Sequence, residues 1–166
     1  MVVPVVADLA PHDIVVIGCG NPNRSDDGVG PHVVERLRQN GIPNQTRIFD
    51  GGTDGMSVMY RARGATHLII VDARIPEGSP GAIYEVPGEH LEAPPNQSLN
   101  LHDFRWDHAL YAGRRIYGDA FPTTVSVMLI EAKSLDLGLE LSSEVTAAAE
   151  LAEEKIRVLI ASWCSE

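Results

Sequence analysis

The amino-acid sequence predicts an α/β sandwich with a mostly parallel sheet. Segments typical of strands alternate with segments typical of helices along the chain, which is the pattern of parallel strands joined by helical crossovers. The strand segments are short and apolar, and glycine-rich turns follow the first two of them. The 166 residues are enough for a sizeable core, and we predict a single domain over residues 1–166.

Three strands and two helices are predicted in the first half of the chain. The third strand contains the run HLIIV and is apolar throughout, as expected of a central strand that is buried on both faces. Val29, Val33 and Leu37 recur every four residues and therefore predict an amphipathic helix. In chain order, the predicted elements are a strand at 13–18, a helix from about 27–31 to 40–41, a strand at 45–50, a short helix at 54–63 and a strand at 66–72.

Two further strands and two helices are predicted in the second half. Strands that are separated by helices or long crossovers should be parallel, whereas the short strand at 81–86 should be an antiparallel edge strand. A long loop follows at 87–100, and a loop of that length is usually functional or mobile. The remaining elements are a helix at 101–117, a strand at 122–130 and a helix at 142–162 with an apolar stripe over five turns.

Composition and charge argue against several classes of protein. The formal net charge is −10, and an acidic surface repels phosphate backbones, so we expect no nucleic-acid partner. No apolar run is long enough to cross a bilayer, and residues 1–11 lack the features of a signal peptide, so we expect a loose N-terminal extension and no membrane partner. The two cysteines, Cys19 and Cys164, form no disulfide or zinc-ligand pattern and fit a reducing cytoplasm.

The chemistry is expected at the carboxyl edge of the sheet, because ligands of open parallel sheets bind beyond the carboxyl ends of the strands. The predicted strands end there in Gly18–Asn21, Asp50–Thr53, Asp72 and Glu131. The first two turns are rich in glycine, which lets the backbone approach a ligand closely. Asp72 ends the most apolar strand, and a charge at that position is costly unless it is paired or lies in a solvated cleft.

Two adjacent acids, Asp26 and Asp27, follow the first turn. Either can cap the following helix, where a negative charge interacts favourably with the positive end of the helix dipole. Either can instead point into the crevice. A division of labour is expected, in which one carboxylate is structural and the other binds, and the residues alone do not say which is which.

The chain has six histidines that could join these acids as metal ligands. His102 opens the helix that follows the long loop and could fold over the crevice, whereas His67 lies at the amino end of the central strand. Together with Asp27 and Asp72, His102 would give two oxygen donors and one nitrogen donor, a set that suits nickel or zinc. Each of the six is individually more often an ordinary histidine than a ligand.

Other chemistries have weaker support in the sequence. The segment GCGNPN has only the first two glycines of a dinucleotide-binding fingerprint, although a nucleotide- or phosphate-binding α/β protein stays open as an alternative. No Walker sequence, no GxSxG elbow and no HExxH pair occurs in the chain. Neither Ser25 nor Cys19 has an evident base nearby in the sequence, and no nucleophile is assigned.

Four segments, in the same order, match the signatures of a known family. The run VIGCGNPNRSDDGVGPHVVERL has a Gly-Asn turn, an acidic pair and a Gly-hydrophobic-Gly helix start, and DGGTDGM and HLIIVDA follow it. His102, in LNLHDF, falls where the family carries its histidine. Over roughly residues 13–130, the chain therefore resembles the hydrogenase maturation proteases.

The resemblance implies a fold and a site. The fold is a three-layer α/β/α sandwich around a five-stranded, mostly parallel sheet, and the metal contacts fall by motif position on Asp27, Asp72 and His102. The acid at the first position is often Glu in the family, and Asp27 reaches one methylene less far. By the same resemblance Asp26 is expected to act locally, through the backbone amides of the following turn, while Asp27 contacts the metal.

The resemblance also implies a function: an endopeptidase that removes the C-terminal extension of the nickel-loaded large subunit of a nickel-iron hydrogenase. The partner is the large-subunit precursor, which carries the nickel, and the free enzyme, expected to be a monomer, binds that metal only weakly. Asp27 and Asp72 are the catalytic candidates, with a carboxylate acting as general base on water or the nickel polarising the carbonyl. The alternative is a non-cleaving metal checkpoint or chaperone that binds the loaded precursor.

Overall fold

Strands and helices alternate along the chain in the computed structural model, which describes residues 13–42, 46–97, 100 and 103–165. The elements are β1 (Ile14–Cys19), α1 (Val29–Asn40), β2 (Arg47–Gly52), α2 (Gly55–Ala62), β3 (His67–Arg74), β4 (Ile83–Pro87), α3 (Trp106–Tyr117), β5 (Thr124–Glu131) and α4 (Ser143–Cys164). The five predicted strands are confirmed, each beginning within two residues of its predicted start. The expected N-terminal extension lies outside the described residues.

The five strands form one sheet in the order β2-β1-β3-β5-β4. The pairs β1–β2, β1–β3 and β3–β5 are parallel, and β4 runs antiparallel to β5 at the edge, as predicted. The carboxyl ends of β1, β2, β3 and β5 therefore meet at one edge of the sheet. β3 lies in the centre, and His67 to Asp72 are all buried.

Helices cover both faces of the sheet, which gives the expected three layers. α1 and α4 pack on one face against alternate residues of the central strands, including Ile69 and Val71. α2 and α3 pack on the other face against the intervening residues, including Leu68 and Ile70. Each fully buried aliphatic side chain of this kind stabilises the fold by about 1.5–3 kcal/mol, so the sheet is a rigid base for the loops at its edge.

The start of α3 differs from the prediction. The helix begins at Trp106, not at residue 101, because Arg105 has an extended backbone and forms its N-cap. The backbone N–H of Arg105 donates a hydrogen bond to Nδ1 of His108, 3.1 Å away. Trp106, Ala109, Leu110 and Gly113 form the buried stripe of the helix. The segment before Trp106 is therefore free to approach the carboxyl edge of the sheet.

The long loop that follows β4 is partly anchored. Glu92 forms an ion pair with Arg114 of α3 at 2.7 Å, and the N–H of Ala93 donates to the carbonyl of Asp107 at 3.2 Å. These two contacts join the first part of the loop to α3, and the mobility expected over 87–100 stays a prediction. No helix within the described residues is long and apolar enough to cross a membrane.

Candidate functional site

A cleft of about 360 Å³ opens at the carboxyl edge of the sheet. The turn after β1, the β2–α2 turn, the end of β3 and the segment before α3 all contribute to it. Its lining residues are Cys19, Gly20, Asp27, Gly52, Thr53, Asp54, Gly55, Val58, Asp72, Asp103, Arg105 and Trp106. The cleft lies where the topology of the sheet predicts, and it brings Asp27 and Asp72 together.

The turn after β1 positions Asp27. Gly20 has a φ of +134°, and its N–H donates to the carbonyl of Gly52 at 2.8 Å, which joins the first two turns. A side chain at residue 20 would overlap the carbonyl of Asp27, so only glycine fits there. Oδ2 of Asp27 accepts the N–H of Asn21 at 2.8 Å. No other side-chain hydrogen bond of Asp27 is found among the described residues, which leaves Oδ1 available for a ligand.

Asp26 is structural, as expected, but its partners are not local. Its side chain is 1% exposed and accepts hydrogen bonds from the backbone N–H groups of Lys133, Ser134 and Ser142 and from the Ser142 hydroxyl, at 2.7–3.2 Å. The expectation that it binds the following turn was wrong, because its side chain crosses to the β5–α4 loop. The expected metal contact of Asp27 stays a prediction.

Asp72 is buried at the end of β3, with 5% of its surface exposed. Oδ1 accepts the N–H of Ala73 at 2.8 Å, and Oδ2 accepts the indole N–H of Trp106 at 2.7 Å. Arg105 lies 3.5 Å from Oδ2, but 62% of its side chain is exposed. Burial raises the pKa of Asp72 from 3.8 to about 6, against the opposing effects of Trp106, Arg105 and the Ala73 amide, and Asp27 raises it further.

Arg105 and Trp106 are site residues that the sequence did not single out. They reach the cleft because the segment before α3 crosses the start of α2, where the N–H of Gly55 donates to the carbonyl of Phe104 at 3.0 Å. A side chain at residue 55 would overlap that carbonyl. A signal for Trp106 did exist: a tryptophan in an apolar helical stripe needs a partner for its indole N–H when it is buried.

Cys19 lines the cleft as a buried free thiol, 4% exposed. Burial raises the pKa of Cys19 well above its ordinary value, and the negative charges of Asp72 and Asp50 act in the same direction. In the absence of a metal the thiol is therefore held in its protonated form, which is a poor nucleophile.

The candidate histidines differ in where they lie relative to the cleft. His102 lies outside the described residues, so its place as the third metal contact stays a prediction, although Asp103 beside it lines the cleft. His108 is the acceptor in the α3 cap. His90 follows β4, whose end at Pro87 pairs with Ser126 near the start of β5, and therefore lies at the opposite, amino edge.

The oxygen donors of the cleft fit a divalent cation only in part. Asp27 and Asp72 are close enough for their charges to interact, and both keep lone pairs beyond their protein hydrogen bonds. Within the described residues, however, no group of three His, Cys, Asp or Glu side chains could hold a metal ion. The two carboxylates need further ligands, and His102 is the predicted one from this chain.

Glu131, at the end of β5, is structural. It is 1% exposed, and Oε1 accepts the backbone N–H groups of Glu77 and Ser79 at 2.6 and 2.7 Å. The Ser79 amide, followed by the Glu77 amide, holds the pKa of Glu131 below its ordinary value despite the opposite effect of burial. The fourth strand end thus fixes the loop after β3 and does not line the cleft.

Comparisons with known proteins identify the family of this chain. The family model described as hydrogenase maturation protease matches residues 31–158, a span that includes Asp72 and begins just after Asp27. Hydrogenase 2 maturation protease of Escherichia coli (strain K12) is 30% identical over 145 residues, 86% of this chain and 87% of that protein.

Solved structures of such proteases share the fold. Hydrogenase maturating endopeptidase HybD from E. coli superimposes with a TM-score of 0.74 at 26% identity, over 90% of this chain and 93% of that one. The nickel-iron hydrogenase maturation protease HybD from Thermococcus kodakarensis gives 0.71 at 25% identity, over 89% and 98%.

Proposed function

The chain belongs to the hydrogenase maturation protease family, and we propose that it removes the C-terminal extension of the nickel-loaded large subunit of a nickel-iron hydrogenase. One observation carries the proposal: Asp27 and the buried Asp72 share a cleft in a fold that matches a maturating endopeptidase over 90% of the chain. The substrate is the large-subunit precursor.

The cleft can admit an extended peptide. Three glycines, Gly20, Gly52 and Gly55, are among its lining residues. Nothing lies within 4 Å of the position that a side chain at Gly52 would take, so a ligand can approach the main chain there. Backbone amides and carbonyls bind extended peptides without reading their side chains, which suits a tail that is selected by the metal beside it.

The nickel belongs to the substrate, and Asp27, Asp72 and His102 contact it there. Imidazole and carboxylate are harder donors than the thiolates that nickel accepts in the precursor. Burial raises the pKa of the Cys19 thiol, which disfavours a thiolate there in the free enzyme. The chain therefore offers an incomplete ligand set, so the free enzyme binds nickel weakly and the loaded precursor completes the site.

Two routes to hydrolysis use the same residues. With a pKa of about 6, Asp72 is ionised at neutral pH yet more basic than an ordinary aspartate, which suits a general base that takes a proton from the attacking water. In the other route, the nickel polarises the scissile carbonyl and Asp72 acts only as a contact to the metal. In both, Asp27 supplies a second negative charge.

The two cysteines bear on the cellular setting. Cys19 and Cys164 are both free thiols, which suits a reducing compartment such as the cytoplasm. The net charge of −10 disfavours nucleic acid as a partner. We expect the free protein to be a monomer, and sedimentation would test that expectation.

The test is the mass of the precursor. Nickel-loaded precursor incubated with the purified protein should lose the mass of its C-terminal extension, whereas metal-free precursor and a reaction with Asp27→Asn should not. Binding of the loaded precursor without any mass loss would establish the non-cleaving checkpoint instead. Neither binding nor cleavage, with precursor that is shown to hold nickel, would contradict the proposal.

A further inference from the structure

Arg105 carries the only positive charge among the described residues that line the cleft. Four carboxylates line the same cleft, those of Asp27, Asp54, Asp72 and Asp103. Hydrolysis of a peptide bond passes through a tetrahedral intermediate, in which the carbonyl oxygen becomes an oxyanion. Carboxylates repel that developing charge, so a cleft of this composition needs a positive group or N–H donors beside the reacting carbonyl.

The backbone of Arg105 is held in place by its neighbours. Its N–H donates to Nδ1 of His108 at 3.1 Å, and its carbonyl accepts the N–H of Ala109 at 2.9 Å. A side chain at Gly55 would come within 2.5 Å of the Arg105 carbonyl oxygen, so this segment packs directly on the start of α2. The side chain of Arg105 therefore starts from a fixed position at the cleft before any substrate binds.

The guanidinium of Arg105 is not committed to a structural ion pair. Its Nη2 lies 3.5 Å from Oδ2 of Asp72, and the indole N–H of Trp106 already donates to the same oxygen at 2.7 Å. This long contact is the only side-chain hydrogen bond or ion pair of Arg105 among the described residues, and 62% of the side chain is exposed. Exposed pairs of this kind contribute little to stability. Most of the five N–H donors of the guanidinium are therefore available to a ligand.

The contact with Asp72 places the guanidinium near the reacting carbonyl. In the general-base route, Asp72 takes a proton from the attacking water, so one water molecule separates its carboxylate from the scissile carbonyl carbon. Arg105 lies 3.5 Å from that carboxylate, which puts its N–H donors within reach of the carbonyl oxygen. The positive charge attracts this oxygen more strongly as the oxygen gains negative charge. The interaction therefore favours the transition state over the bound substrate.

We propose that Arg105 is a catalytic residue whose guanidinium binds the oxygen of the scissile carbonyl and stabilises the oxyanion. The proposal rests on the proposed function and completes its general-base route. The water gives a proton to Asp72 while its oxygen bonds to the carbonyl carbon, and the π electron pair of the carbonyl moves to the oxygen that Arg105 binds. When the intermediate collapses, the C–N bond breaks and the proton passes from Asp72 to the leaving nitrogen, which leaves a carboxylic acid and an amine.

The test measures kcat and KM for nickel-loaded precursor with Arg105→Ala. The matched control is Arg38→Ala, since the side chain of Arg38 is 51% exposed and pairs with Glu35 on α1, outside the cleft. Loss of an oxyanion donor should lower kcat by about 100- to 1,000-fold with KM close to the wild-type value, and the control should behave as the wild type. Added guanidinium ion, at concentrations too low to unfold the protein, should restore part of the lost kcat. Arg105→Lys should lose less than Arg105→Ala, because it keeps the charge but not the planar donors.

Three outcomes would overturn the catalytic role of Arg105. The first is a wild-type kcat in Arg105→Ala. The second is a raised KM at unchanged kcat, which would mean that Arg105 binds a charged group of the substrate and not the oxyanion. The third is a fall in kcat that guanidinium ion does not restore, which would mean that Arg105 acts through the structure of the cleft. Failure of the wild type to cleave loaded precursor is a separate result that contradicts the proposed function.

Discussion

Asp26 and Asp72 are both buried aspartates at the carboxyl edge of the same sheet, with 1% and 5% of their surfaces exposed. Asp26 accepts four hydrogen bonds at 2.7–3.2 Å, three from backbone N–H groups and one from a hydroxyl. Asp72 accepts two short hydrogen bonds, and the largely exposed Arg105 lies 3.5 Å from its Oδ2. Burial raises the pKa of Asp72 to about 6.

The difference separates carboxylates that hold the fold from carboxylates that bind. Asp26 and Glu131 each accept several hydrogen bonds from protein donors and join distant segments of the chain. Asp72 and Asp27 each accept fewer hydrogen bonds, and both line the cleft. Each carboxylate therefore keeps acceptor capacity for a ligand.

The largest effect is expected from Asp27→Asn. The amide oxygen can still accept the Asn21 N–H, so the fold should persist, but the charge that faces the nickel is lost. Processing should fall by at least about 1,000-fold, since even changes behind a metal ligand cost 10- to 100-fold. Mass analysis of loaded precursor measures it. Asp119→Asn, an exposed carboxylate before β5, is the control and should process normally.

Asp26→Asn should affect stability more than activity. Its single amide oxygen cannot replace two carboxylate oxygens, and its NH₂ group would face backbone donors. The free energy of unfolding should fall by about 2–4 kcal/mol, because buried donors lose a charged partner. Urea unfolding measures this. Wild-type stability together with abolished processing would show that the roles of Asp26 and Asp27 are reversed.

Asp72→Asn should change stability in a way that depends on pH. The folded pKa of about 6 lies above the unfolded value of about 3.9, so the stabilising contribution of this group is complete below pH 4 and is lost as the pH rises through 6. The neutral amide avoids that loss, but its NH₂ group faces one of the two N–H donors at every pH. We therefore expect the stability of the variant, measured relative to the wild type, to rise by about 1–3 kcal/mol between pH 4 and pH 7–8.

The matched variant for this prediction is Glu131→Gln. The pKa of Glu131 is lowered, so its contribution is present above the unfolded pKa and is lost as the pH falls. Glu131→Gln should therefore destabilise the protein at pH 7, with the difference shrinking in acid. Urea unfolding between pH 4 and 8 measures the stability of both variants. If the two stability differences changed with pH in the same direction, the distinction between the raised pKa of Asp72 and the lowered pKa of Glu131 would be contradicted.

The sequence predicted the sheet and the location of the cleft because both follow from local patterns. Apolar runs mark the strands, and Gly20 and Asp72 lie at their carboxyl ends. It could not predict the partners of Asp26, which lie 107 to 116 residues away, because no periodicity reports a contact between two loops. The contact between Trp106 and Asp72 was missed for the same reason. The start of α3 was also predicted wrongly, at residue 101 in place of Trp106.

The smallest effect is expected from Trp106→Phe, which keeps a ring but removes the indole donor to Asp72. That hydrogen bond lowers the pKa of Asp72, so its loss should move the pH midpoint of the stability profile above 6. Processing should fall by about 10-fold, as for a partner behind a metal ligand.

The control is Trp163→Phe, since Trp163 packs on His67 with ring centroids 4.7 Å apart, on the other face of the sheet. Trp163→Phe should change stability at every pH without moving the midpoint. An unmoved midpoint in Trp106→Phe would mean that burial alone determines the titration of Asp72 and that Trp106 does not position it.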